Sequence, residues 1–163
     1  CSSAASDVYK RQILIPSLVS IFSLIFGGFL ADKLISIGYK VINVRKSVNS
    51  IGFFGSSIFL YLISLQSDLF SVVLLLCLIN FCSGVCQGGF GVNHADLGPK
   101  YTGTLVGISG SIGMIAAIFS PMVAGLVLEV TNSWNLIFYI CSGILVFGGL
   151  FYLKFASASR QFN

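Results

Sequence analysis

The chain has 163 residues, of which 56% are hydrophobic and 9% charged, with a mean hydropathy of +0.97 and a net charge of +4. A soluble domain carries roughly a quarter charged residues, and one of this size leaves much of its surface in water. A soluble globular fold is therefore excluded, and lipid is the medium that this composition suits. The nine Lys and Arg are scattered between apolar runs, which excludes the one-sided basic face of a nucleic-acid binder.

Residues 1–12, CSSAASDVYKRQ, are polar, start without Met and run abruptly into ILIPSLVSIF. They are expected to be a truncated or foreign leader outside the folded unit. No signal-peptide layout marks this end and no prenylation box marks the other.

A membrane-crossing helix needs about 20 mostly apolar residues, and five segments qualify. The first is residues 13–31, closed by Asp32 and Lys33. Opposite charges at the ends of the following connector, Asp32 and the pair Arg45-Lys46, can pair or dock on a neighbouring helix end. A simple topology anchor is the plainer reading. The second span is residues 47–65, ending at Gln66-Ser67-Asp68, and the third is residues 69–90 with the run VVLLLCLI. Helical spacing puts Asn80, Gly84, Gln87 and Gly88 on roughly one face of the third span. Amides facing lipid are costly, so that face should meet protein or water. It either bonds to a neighbouring helix or lines a solute path. Cys77, Cys82, Cys86 and Cys141 fall inside apolar runs and act as small packing residues. A metal reading of Cys82 and Cys86 lacks further ligands.

The connector GVNHADLGPKYTG holds the single His of the chain, His94, beside Asp96. His94 is either a pH-sensitive element or a hydrogen-bonded neighbour at a helix end. Asp96 is placed to satisfy free N–H groups at a helix start. The fourth span, residues 102–128, is rich in small residues, with Gly103 and Gly107 four apart and Ser109 and Gly113 four apart. Such pairs let helices approach closely. At 27 residues it measures about 40 Å, longer than a bilayer requires, and Pro121 is its natural bend point. Packing alone explains the small residues; a moving wall is the functional alternative. The fifth span is residues 134–155, followed by a short polar tail.

Strands of a membrane barrel would alternate in polarity over about 10 residues. These runs are about twice as long and do not alternate, so backbone groups must bond within each segment, as helices. The fold class is all-α, a polytopic membrane helix bundle. Beyond the leader, Lys33, Lys40, Arg45, Lys46, Lys100, Lys154 and Arg160 all fall on one side of five alternating spans, and the two intervening connectors carry no Lys or Arg. The positive-inside rule makes that side cytoplasmic, with Trp134 at the outer interface. No membrane enzyme is visible: Asp32, Asp68, Asp96 and Glu129 lie at span ends or in connectors, away from any mid-span catalytic cluster.

The strings GGFLADKL, VRKSVNSIGFFG, GFGVNHADLGPKYTGTLVGISGSIG, SPMVAGLV, WNLIFYI and FYLKFASASRQ resemble the anion:cation symporter family of the major facilitator superfamily. The pattern NHxDxxPxYxGxLxGIS matches Asn93, His94, Asp96, Pro99, Tyr101, Gly103, Leu105, Gly107, Ile108 and Ser109. The resemblance runs from about Ile13 to Gln161. It implies that the five spans are the eighth to twelfth helices of a twelve-helix fold with both termini cytoplasmic. It also implies cation-coupled symport of inorganic phosphate or of organic anions such as glutamate or sialate, by alternating access, with sodium or a proton as coupling ion and no other cofactor.

The implied partners are a small anionic solute, the bilayer and a missing N-terminal half holding most of the anion-binding and coupling residues. The implied location is the plasma membrane or a lysosomal or vesicular membrane. Candidates for the solute pathway are Asn80, Gln87, Gly107, Ser109 and Ser111. Candidates for a cytoplasmic gate are Asp32, Arg45, Lys46, Asn93, His94, Asp96 and Tyr101. GGFLADK resembles the superfamily's gating motif, although its spacing to Arg45-Lys46 is long and Gly38 matches the usual following Gly only loosely. The alternative is a truncated, non-transporting membrane protein that packs against other helices.

Overall fold

The computed structural model describes residues 2–157, with side chains from Pro16 onward. Arg160 and Gln161 lie outside the described residues. Among those described, the chain is helical almost throughout: α1 (Ser2–Ser36), α2 (Val41–Ile63), α3 (Leu69–Cys86), a π-turn (Gln87–Gly91), α4 (Val92–Leu97), a 3₁₀ turn (Pro99–Tyr101), α5 (Thr102–Thr131) and α6 (Trp134–Phe155). The backbone of residues 2–12 continues the helix that carries the first span.

Among the described residues, four stretches are long and apolar enough to cross a membrane: Pro16–Ser36, Leu69–Leu97, Pro99–Thr131 and Trp134–Phe155. Helix α2 has the length, 23 residues, but is the more polar one. It carries Arg45, Lys46, Asn49, Ser50, Ser56 and Ser57, and Arg45, Asn49, Ser56 and Ser57 are buried against other helices.

Local chemistry sets the ends. At the end of α1, Gly38 adopts φ +107, Tyr39 N–H donates to Leu34 O at 3.3 Å and Gly38 N–H to Ile35 O at 3.0 Å. That left-handed stop favours glycine. Helix α2 then starts at Val41, six residues before the expected 47, so Arg45 and Lys46 lie inside the helix and not in the connector. At the start of α3, Asp68 Oδ2 accepts from Ser71 N–H at 3.0 Å and from Ser71 Oγ at 3.1 Å. Helix α5 ends on Asn132, left-handed at φ 49, its N–H donating to Leu128 O at 2.8 Å. Pro121 sits inside an unbroken α5.

Contacts fix the helix directions. Ser20 and Ser23 meet Asn80, and Gly27 meets Val85 and Gly88, so α1 and α3 run parallel. Arg45 meets Gly88, Asn49 meets Cys86 and Ser56 meets Ile79, so α2 runs antiparallel to α3. Ser57 pairs with Ser142 while Phe53 meets Gly148 and Gly149, so α6 runs antiparallel to α2. Helix α6 follows α5 after only Asn132 and Ser133 and lines a common groove with it, Ala116, Val123 and Val127 on one side and Ile137, Ile140 and Ile144 on the other, so the two helices fold back on each other. This alternation gathers Lys33, Lys40, Arg45, Lys46, Lys100 and Lys154 at one end of the bundle, with Trp134 at the other.

The centre lies between α1, α2 and α3, around Ala31, Val44, Val48 and Val85, with Leu34, Ile35 and Phe81 packed on it. Glycines permit the close crossings there. A methyl group on Gly27 would meet the Val85 backbone at 2.6 Å, and one on Gly84 would strike Ser23. On the α2 side, Gly52 faces Cys86 and Gly55 faces Cys82, so the two thiols are small knobs set into glycine notches. Helix α5 differs: it rests on α4 and α6 and buries none of its residues, leaving Ile115, Ile118 and Val130 on the outside.

Candidate functional site

The most elaborate polar structure lies at the basic end of the bundle. Arg45 enters it from the second turn of α2 and is only 4% exposed. Its Nε donates to Asp96 Oδ2 at 2.9 Å, and its Nη1 donates to Gly88 O at 2.8 Å. A carbonyl has two lone pairs, so Gly88 O can serve both the helix ladder and the guanidinium. Gly88 belongs to the π-turn, a widened turn often found at functional positions. Gly89 lies flat against the Arg45 carbonyl and Asn49, where a methyl group would sit at 2.9 Å from each backbone. Arg45 thus clamps both the π-turn and α4, and the buried charge is tolerable because it is paired and hydrogen-bonded.

Two corrections follow. Residues 92–97 form a helix continuing the third span, where a connector was expected. Asp96 lies near the end of that helix and binds Arg45, so it is not the cap of a helix start; the acidic cap is Asp68. The expected pairing of Asp32 with Arg45 is also replaced: Asp32 is exposed, and Arg45 is taken by Asp96. Lys46 is half-buried beside Arg45.

Helix α4 carries the next link. His94 Nδ1 lies 3.3 Å from Gly91 O and Nε2 lies 3.1 Å from Ser109 Oγ on α5. Its ring meets Phe90 edge-on, with centroids 6.3 Å apart. Asn93 is buried, and among the described residues its Oδ1 has no hydrogen-bond partner; Asn49 Nδ2 and the Tyr152 hydroxyl share that condition. Tyr152 stands within electrostatic reach of Arg45, Asp96 and Cys86. Tyr101 is half-exposed on the 3₁₀ turn. Of the expected gate residues, Arg45 on α2 pairs with Asp96 on α4, and His94, two residues earlier on α4, contacts Ser109 on α5.

The expected pathway residues separate. Asn80 Oδ1 accepts from Ser20 Oγ at 2.8 Å and its Nδ2 donates to Leu76 O at 2.8 Å, so Asn80 ties α3 to α1. Gly84 and Gly88 share that face, but Gln87 points away. Gln87 lines a recess of about 170 Å³ with Gly52, Phe53, Ser56, Cys86 and Phe90. Gly107 and Ser111 are exposed on α5, and Ser111 Oγ donates to Gly107 O at 2.8 Å.

Asn49, Tyr152 and the Ser57–Ser142 pair, 2.8 Å apart between α2 and α6, were not singled out from the sequence. A signal existed: Asn49, Gly52 and Ser56 recur at helical spacing, a stripe of small and polar residues that marks a helix–helix seam.

An all-helical membrane bundle, cross-linked at its basic end, is the class of molecule that the fold and site define. Residues 12–161 match the Major Facilitator Superfamily, and the chain belongs to that family of transporters. It is 34% identical over 134 residues to the chloroplastic ascorbate transporter of Arabidopsis thaliana, covering 82% of this chain and 25% of that protein. It is 34% identical over 148 residues to the voltage-gated purine nucleotide uniporter SLC17A9 of Rattus norvegicus, covering 90% and 33%. It is 30% identical over 151 residues to sialin of Homo sapiens, covering 90% and 30%. These relatives are named as transporters, not enzymes, and they agree with the resemblance to the anion:cation symporter family. The chain spans between a quarter and a third of their length.

Proposed function

We propose that this chain supplies the eighth to twelfth helices of a cation-coupled anion symporter that works by alternating access, its two halves rocking around a midplane site. The observation that carries this reading is the pair of buried Arg45 with partly buried Asp96, which fastens α2 to the π-turn and α4 at the basic end. A hydrogen-bonded ion pair between helices has two discrete arrangements, made and broken, which suits a gate on the cytoplasmic side. The names of the relatives supply the substrate class: ascorbate, purine nucleotide and, in a chloroplastic protein of Arabidopsis thaliana, sodium-dependent phosphate. All three solutes are anions at neutral pH. The partner is then an N-terminal half of the same transporter, the coupling ion sodium or a proton, and the location a plasma, lysosomal or vesicular membrane.

The test is reconstitution of the complete parent protein in liposomes, with uptake of labelled phosphate, glutamate, sialate, ascorbate or nucleotide under imposed sodium or proton gradients. Gradient-dependent uptake of one of these supports the reading. Uptake that follows membrane voltage alone would make it a uniporter, and no uptake would overturn transport.

A second reading, a non-transporting helix-packing partner, draws on α5, where a methyl group added at Gly103, Gly107, Gly110 or Gly113 would meet no other element within 4 Å among the described residues. Expression of the 163-residue chain by itself separates the two, because only the partner reading expects it to be stably inserted and bound to other helices without uptake.

A further inference from the structure

We propose that His94 is a proton-binding position whose imidazolium form closes α4 onto α5 and whose deprotonation loosens that junction. The proposal goes beyond solute transport and rests on counting protons in three contacts. His94 Nδ1 faces Gly91 O at 3.3 Å, His94 Nε2 faces Ser109 Oγ at 3.1 Å, and Ser109 Oγ also reaches Val106 O at 3.2 Å. Both carbonyls only accept, so Nδ1 must carry a proton to bond Gly91. The serine hydroxyl has one proton to give. In the neutral ring with Nδ1 protonated, Nε2 only accepts, so the single Ser109 proton is shared between His94 and Val106 and each bond is weakened. In the other neutral tautomer, the Nδ1 lone pair points at the Gly91 carbonyl and that contact is lost. The imidazolium gives each contact its own proton: Nδ1–H donates to Gly91 O, Nε2–H donates to Ser109 Oγ, and Ser109 gives its own proton to Val106 O. The His94–Ser109 bond is also then charge-assisted, which roughly doubles its strength.

The bond matters because of where it sits. Helix α5 buries none of its residues, so side-chain packing does little to orient it. Its link to α4 is the short Gly98–Tyr101 turn, where Thr102 Oγ1 donates to Gly98 O at 3.1 Å, plus the His94–Ser109 contact one to two turns further along. The ionisable groups nearest His94 along the chain are Asp96 on α4, held by Arg45 from α2, and Lys100 and Tyr101 on the 3₁₀ turn. The π-turn contributes Gly91 O and the Phe90 ring edge, and the facing part of α5 carries no ionisable side chain. With Asp96 engaged by Arg45, the ring's hydrogen bonds respond to its own protonation.

The experiment is hydrogen–deuterium exchange on the protein as its gene expresses it, purified in lipid nanodiscs. Exchange is followed from about pH 5.5 to about pH 8, a span that covers imidazole titration, and corrected at each pH against the unfolded peptide. Protection of residues 102–110 is expected to fall roughly five-fold as pH rises, the difference between a charge-assisted and a neutral hydrogen bond. His94→Gln and Ser109→Ala are expected to remove the step, and His94→Lys to keep the segment protected throughout. Protection of the α1–α3 contact around Gly84 serves as the fold control. Ser109→Ala removes only an exposed hydroxyl, so it decides the matter even where His94→Gln fails to fold. A wild-type protein without the step, or a step that survives in Ser109→Ala, overturns the proposal.

Discussion

Helices α3 and α5 are both long, apolar and rich in glycine, yet the structure uses them in opposite ways. In α3 and its π-turn, Gly84, Gly88 and Gly89 are the surfaces on which α1 and α2 ride, with backbone and side chain pressed against each. In α5, Gly103, Gly107, Gly110 and Gly113 face open space. The difference teaches that small residues permit close approach but do not create it. What recruits the neighbours of α3 is a set of directional bonds: Asn80 to Ser20, Cys86 to Asn49, and the Arg45 clamp on Gly88 and Asp96. Helix α5 bonds across to α4 from Ser109 to His94.

The largest way to break this contrast is to remove one charge from the clamp. Asp96→Asn is expected to destabilise the bundle by about 3 kcal/mol, since it leaves the buried Arg45 guanidinium without its carboxylate, and Arg45→Met by less, since Asp96 is partly exposed. The double variant Arg45→Met with Asp96→Leu should recover much of that loss. Thermal unfolding in detergent of the two singles and the double gives the coupling directly, and additive losses would show that the pair does not hold α2 to α4.

The glycine contrast is tested next. Gly84→Ala places a methyl group against Ser23 and near Leu24 N at 3.0 Å, so it should destabilise by about 1–3 kcal/mol through overpacking. Gly110→Ala, with nothing near it, should be neutral or slightly stabilising, because alanine favours the helix by up to about 1 kcal/mol. Equal losses at both positions would mean that a partner covers α5 as tightly as α1 covers α3. A smaller effect belongs to the α2–α6 seam: Ser57→Ala should lower stability by about 0.6 kcal/mol, typical of hydrogen bonds between membrane helices, and should be non-additive with Ser142→Ala.

The fold was legible in the sequence wherever burial in lipid is the deciding force. The expected fifth span, residues 134–155, is α6 with the same bounds, because apolar length alone sets it. Legibility failed where tertiary pairing overrides local polarity. Arg45 and Lys46 read as a connector, yet the ion pair with Asp96 lets the helix extend around them. The segment GVNHADL read as a connector for the same reason, although its polar side chains are spent on Arg45 and Ser109. Of the residues named as gate candidates, Arg45 pairs with Asp96 and not with Asp32, while His94 bonds elsewhere, to Ser109. Nothing in a single sequence distinguishes Asp32 from Asp96 as the partner of Arg45, since that choice depends on which helices run antiparallel and side by side.

The smallest expected effect lies at the far end of the molecule, where polar bonds are exposed to water. Asp68 caps α3 outside the spans, and its carboxyl is held below the usual range first by the Ser71 backbone N–H and then by the Ser71 hydroxyl. A carboxyl depressed in the folded state contributes stability that is present above its unfolded value. That stability is lost as pH falls through the lower folded value. Neutral pH therefore retains the full cap, and acidification below about pH 4 removes it. Asp68→Asn keeps an oxygen acceptor for the N–H but carries no titrating charge, so it should unfold at nearly the wild-type temperature at pH 7 and lose less than wild type on acidification. Asp68→Ala should fray the start of α3 at every pH, read as faster amide exchange in residues 69–72. The clamp at the basic end should be indifferent to both substitutions, because it lies at the opposite end of the bundle and shares no contact with Asp68.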